Sequence, residues 1–149
     1  MSKIPLIFQL VTLKSAPFWS GLTRDFVTAT SLLIPLLENS LRHVLKGAGE
    51  RVSTLTPAGV QEVLRIGALL DHPKTLEIFG EDTVQDLKGI LIDRTYGNLR
   101  NEVSHGLVSW STFHQPHCVY LWWLILRFVL MPHYSSWSDQ GEGDHEPEI

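Results

Sequence analysis

One cysteine, Cys118, stands in 149 residues. A lone thiol excludes an intrachain disulfide framework and suits a reducing cytosol. Long apolar runs are also missing. The most apolar stretch, residues 118–131, is interrupted by Arg127. It falls short of the about 18 residues that a membrane span needs, so it reads as a buried core helix. No secretory signal is expected, because Pro5 and Gln9 interrupt the apolar segment near the start and no small-residue cleavage site follows cleanly. The expected location is therefore the cytoplasm, with no membrane partner. Cations are absent after Arg127, while Asp139, Glu142, Asp144, Glu146 and Glu148 carry much of the net charge of −4. The body before them is close to neutral, so DNA is not expected as a partner and any grip on RNA must be local. P-loop, dinucleotide-binding glycine and nucleophile-elbow patterns are lacking too.

What is there reads as one globular domain, with 44% hydrophobic and 19% charged residues. Residues 1–19 read as an N-terminal arm or the remnant of a longer N-terminal region, 20–134 as the helical domain, and 135–149 as an acidic, disordered tail. Helical spacing of Phe26, Leu33, Leu37, Leu41, Val44 and Leu45 predicts a helix from Ser20 or Thr23 to Lys46, kinked by Pro35. Thr56-Pro57 predicts a helix start, with a helix through Val63, Leu64, Ile66, Leu69 and Leu70. The chain restarts at Asp71-His72-Pro73 and breaks at Gly80. Another helix is expected over 82–92, and a last one from Pro116 to Pro132. No alternating pair of strands is evident, so the expected class is all-α.

Residues 98–106, N-L-R-N-E-V-S-H-G, carry the chemistry. A guanidinium binds phosphate through a planar fork of donors, and histidine titrates nearest neutrality. Arg–His spacing alone is weak, since Arg65 to His72 and Arg127 to His133 also fit it. Context distinguishes the third case: Gly97-Asn98 predicts a turn and N-cap, and Gly106 a helix stop. Asn101 and His105 are four apart and share a helix face, while Arg100 pairs with Ser104 on the neighbouring one. Arg100 and His105, five apart, are offset by roughly 140° around the helix, so they can flank one groove but cannot stack.

The string L-R-N-E-V-S-H-G resembles the RNxxxHG signature of a domain of unknown function within the HEPN superfamily. That domain is typical of bacterial proteins and is similar to part of the eukaryotic endoplasmic-reticulum membrane-associated RNA degradation protein. The segment L-L-I-P-L-L-E-N-S-L-R-H-V-L, with Glu38 and Arg42, resembles the family's first long helix. The segments G-A-L-L-D-H-P-K-T-L-E-I-F-G-E-D and V-Y-L-W-W-L-I-L-R resemble its middle and final helices. Residues 22 to 134 are covered. The resemblance implies a HEPN-like bundle of four to five helices with short extra ones, and a homodimer whose motif helices face each other across a cleft. It implies a metal-independent endoribonuclease without cofactor, of the kind found among toxins and phage-defence effectors, with an antitoxin or a longer protein's N-terminal region as further partners. Arg100 and His105 would be the catalytic pair, with Asn101 beside them. The alternative is a non-catalytic helical module for dimerisation or for RNA or nucleotide binding. One departure is Leu107, which stands where some HEPN toxins carry a tyrosine that is nucleotidylated to silence them.

Glu38 and Arg42 read either as an i,i+4 pair or as a polar layer orienting the motif, with Ser104 in support. His114, His117 and Cys118 cluster without a fourth ligand for zinc, so no metal site is expected. Trp122 and Trp123, in an apolar helix, read as core or dimer packing rather than as a base-stacking platform.

Overall fold

The computed structural model describes the backbone of residues 16–141 and the side chains of residues 16–130. Most of the expected N-terminal arm and residues 142–149 of the expected tail lie outside the described residues. The described chain is mostly helical, in keeping with the all-α expectation, with one small antiparallel hairpin.

Helix α1 (Ala16–Leu22) and helix α2 (Phe26–Gly47) replace the single helix expected from Ser20 or Thr23. The break has a local cause. The Thr23 hydroxyl donates to the carbonyls of Trp19 and Ser20, and Arg24 adopts a left-handed φ of 65°. Asp25 then caps α2, accepting from the Thr28 amide at 3.1 Å. Leu33, Ile34, Leu37, Leu41, Val44 and Leu45 form the buried stripe of α2, and Pro35 sits exposed within the continuous helix.

The segment expected to be helical after Thr56-Pro57 is instead a hairpin, β1 (Ser53–Leu55) and β2 (Gln61–Val63), with Thr54 opposite Glu62. The Thr56 side chain closes the turn rather than capping a helix: its hydroxyl accepts from the Val60 amide at 3.1 Å, and its carbonyl accepts from Gly59 at 2.8 Å. Only α3 (Ile66–Leu70) of that segment is helical.

Helix α4 (Pro73–Phe79) starts as expected, with His72 Nδ1 accepting from the Lys74 amide and Pro73 at the first position. Gly80 separates it from α5 (Glu81–Leu91), whose acidic first turn and late Lys88 complement the helix dipole. The motif helix α6 (Leu99–Ser104) follows, then a 3₁₀ turn (Thr112–His114) and α7 (Pro116–Gly141).

Helix α7 runs past Pro132, where its end was expected, and through residues 135–141, which were assigned to the tail. Proline removes only one amide donor, and the helix is described as far as Gly141.

The core sits where α2, α5 and α7 meet, around Leu33, Leu41, Leu87, Ile90, Leu121 and Ile125. Full burial of such side chains stabilises by about 1.5–3 kcal/mol each. Trp122 belongs to this core. Its Nε1 donates to the Pro17 carbonyl at 3.2 Å, and its indole lies so close to Gly21 that any Cβ there would overlap it. Trp123, by contrast, is largely exposed. No helix among the described residues is long and apolar enough to cross a membrane.

Candidate functional site

The motif helix is placed by the turn before it. The Asp93 carbonyl accepts from the amides of Gly97 and Asn98 at 3.1 and 2.9 Å. Its carboxylate accepts from the Thr95 hydroxyl and amide, and these bonds hold the Asp93 carboxyl below its ordinary pKa. Gly97 packs directly on the backbone of Ile90, where a Cβ would overlap the carbonyl. Asn98 occupies the expected N-cap position, but in a left-handed conformation (φ 42°) and without capping a backbone amide. Its Oδ1 instead accepts from Asn101 Nδ2 at 2.8 Å. Leu99, fully buried, anchors the helix to the core.

Arg100 leaves that helix toward α2. Its Nε lies 3.7 Å from Glu38 Oε2, and its Nη1 contacts Asn101 Oδ1 at 3.5 Å. The other Glu38 oxygen pairs with Arg42, which in turn donates Nε and Nη2 to the Leu64 carbonyl at 3.3 and 3.2 Å. One carboxylate thus joins the first long helix, the exit of the hairpin and the motif helix. Glu38 and Arg42 form the i,i+4 pair, and the same carboxylate also faces the motif helix. It contacts Arg100, not His105.

Arg100 and Asn101 open into a groove of about 560 Å³. Its other walls come from the hairpin (Thr54, Glu62), Arg65, α3 and Ile92. His105 is not part of it. The imidazole sits at the C-cap of α6, exposed and without a hydrogen-bond or ion-pair partner among the described residues. Past it, Gly106 ends the helix as expected: with φ 65° it donates to Val103 while Leu107 donates to Glu102. This is the reciprocal pair of a Schellman cap, which favours glycine. Five residues of helix separate Arg100 from His105 by about 7.5 Å along the axis. Within one chain, then, the structure gathers Arg100, Asn101, Glu38 and Arg42 but leaves His105 apart. Ser104 does not reach the groove either, because its hydroxyl donates back to the Arg100 carbonyl at 2.7 Å.

Large apolar side chains flank the motif helix. Tyr96 precedes it, Leu107 and Trp110 follow it, and all three are more than 70% exposed. Trp110 lies against the ring of His114 with centroids 4.2 Å apart. Among the described residues no group of histidine, cysteine or carboxylate side chains is arranged to hold a metal ion. Cys118 is buried instead, donating to the Thr112 carbonyl at 3.4 Å, and burial pushes its thiol up to about 11. Of the other Arg–His spacings, Arg65 lines the groove and His72 caps α4, 3.6 Å from Glu50. His133 lies outside the described side chains.

Thr54, Glu62 and Arg65 come to the groove only because a hairpin replaces the helix expected after Thr56-Pro57. The signal available was Thr-Pro-x-Gly between short stretches containing valine and threonine, a turn rather than a helix start. No family model, curated protein or solved structure matches the chain.

Proposed function

We propose that the chain is a HEPN-type endoribonuclease that needs no metal and works as a homodimer. One observation carries this reading: a short helix that presents Arg100 and Asn101 to an open groove and leaves His105 exposed at its other end, with no partner among the described residues. A second protomer related by a two-fold axis would complete the pair, with the guanidinium of one chain and the imidazole of the other on the same phosphodiester. His105 would take the proton of the ribose 2′-hydroxyl or protonate the leaving 5′-oxygen. Arg100 would neutralise the charge that builds on the phosphorane-like transition state. The products would be a 2′,3′-cyclic phosphate and a free 5′-hydroxyl. Exposed Tyr96, Leu107 and Trp110 beside the helix supply apolar surface for the partner chain. Toxin or phage-defence activity, with an antitoxin as the restraint, is the biological setting we propose.

The Glu38–Arg100 contact favours a second reading, in which the bundle is HEPN-like but non-catalytic and Arg100 only ties helices together. Incubation with total RNA in excess EDTA separates the two. The nuclease reading expects cyclic-phosphate fragments from the wild type and none from Arg100→Ala or His105→Ala. Fragments that persist undiminished in His105→Ala, or RNA left intact by the wild type, contradict it.

A further inference from the structure

We infer that the groove beside Arg100 is a base-reading pocket for guanine, with Glu62 and Arg65 as its specificity-determining residues. This rests on the proposal that the motif acts on RNA, and it adds which nucleotide is held next to the phosphate. The volume, about 560 Å³, lies within the range of small-ligand sites, about 300–1,000 Å³, and has room for one nucleotide.

The lining has two chemical halves. Arg100 and Asn101, from the motif helix, suit a phosphate and a ribose hydroxyl. The hairpin and its exit supply a second set of lining residues. Thr54 and Glu62 are cross-strand partners, so they share one face of the hairpin, and both line the groove with Arg65. Aliphatic lining residues, including Val63, Leu64 and Ile92, offer apolar contact for a base.

Glu62 and Arg65 are available. Among the described residues the carboxylate of Glu62 and the guanidinium of Arg65 have no side-chain hydrogen bond or ion pair. The remaining charged groups of the groove are engaged, Asp71 by Lys88 and Arg100 by Glu38. A free carboxylate and a free guanidinium lining one groove select among the bases. Guanine alone offers two adjacent N–H donors, N1 and N2, to a carboxylate and two adjacent acceptors, O6 and N7, to a guanidinium fork. Adenine and cytosine turn a ring-nitrogen acceptor toward the carboxylate. Uracil sets its one N–H between two carbonyl oxygens, which the carboxylate repels.

The test is a titration of the full chain with the 5′-monophosphates of guanosine, adenosine, cytidine and uridine, followed by amide chemical shifts. Wild type is expected to bind the guanosine nucleotide about tenfold more tightly than the other three, the discrimination of one good bidentate pair. The shifts should centre on residues 54, 62, 65 and 100. Glu62→Gln, which keeps size but loses the double acceptor, and Arg65→Ala should each remove that preference. Ala68→Trp, on an exposed groove-lining position of α3, should block all four nucleotides. Equal affinity for the four nucleotides, no binding by the wild type, or undiminished preference in Glu62→Gln overturns the assignment. Because the titration involves no cleavage, a chain that selects guanosine but leaves RNA intact separates failure of the nuclease proposal from failure of this one.

Discussion

Removing the carboxylate of Glu38 is the most informative single perturbation of the fold around the motif. Its side chain is 12% exposed and lies between Arg42 and Arg100, themselves 23% and 29% exposed. Breaking a fully buried ion pair from one side costs about 3–5 kcal/mol. Here the two guanidinium groups stay partly in water, and Arg42 keeps its bonds to the Leu64 carbonyl, so the cost of Glu38→Ala is about 1–3 kcal/mol. Glu38→Gln retains an acceptor and should lose less. Urea unfolding followed by circular dichroism measures both, because the midpoint moves with stability while an unchanged slope reports an intact two-state transition. The same variant should loosen the hairpin exit, seen as faster amide exchange at residues 62–66 than in the wild type. A change below about 0.5 kcal/mol, the range of ordinary surface substitutions, would refute the claim that this carboxylate joins three elements.

Other expectations follow from the same geometry. Gly97→Ala forces a methyl group onto the Ile90 carbonyl and should destabilise by about 2 kcal/mol or more, measured by thermal melting. Asp25→Ala removes the α2 cap. The Thr28 hydrogen bonds lower the Asp25 pKa, so that carboxylate's contribution is present above its unfolded value of 3.8 and disappears as pH falls through the lower folded value. Wild type should therefore melt higher than Asp25→Ala at neutral pH, with the difference narrowing as pH falls below 3.8. Cys118 has the opposite sign. Its thiol is raised from 9.0 to about 11, so the unfolded chain ionises first and the native state loses stability over that window. The loss is about 2 kcal/mol and should be missing in Cys118→Ala compared over the same pH range.

Legibility in the sequence followed the range of the interaction. Leu33, Leu37, Leu41 and Leu45 repeat at the period of a helix, so α2 could be read directly, and the same holds for Val84, Leu87 and Leu91 in α5. Gly106 was legible because a Schellman cap is a local arrangement with a local residue preference. Thr56-Pro57 was ambiguous, because the same pair opens helices and turns, and only the Val52–Leu64 contact across the hairpin decides between them. The split at Thr23 depended on one hydroxyl satisfying two carbonyls. At the site, the i,i+4 relation of Glu38 and Arg42 was visible. The reach of Glu38 to Arg100 was not, since 62 positions of chain separate them and only the packed fold brings them together. The helical offset of Arg100 from His105 was legible, but it allowed the two to flank one groove, and the fold places only Arg100 there.

The central claim, a site shared between two chains, is tested most directly by mixing two inactive variants. Arg100→Ala and His105→Ala protein, each purified alone, are unfolded together, refolded as a mixture and given RNA in EDTA. A shared site predicts that neither variant cleaves alone and that the mixture regains a measurable part of wild-type activity, because mixed dimers carry one Arg100 and one His105 on the same cleft. A mixture as inactive as either variant, under conditions where refolded wild type cleaves RNA, would contradict it.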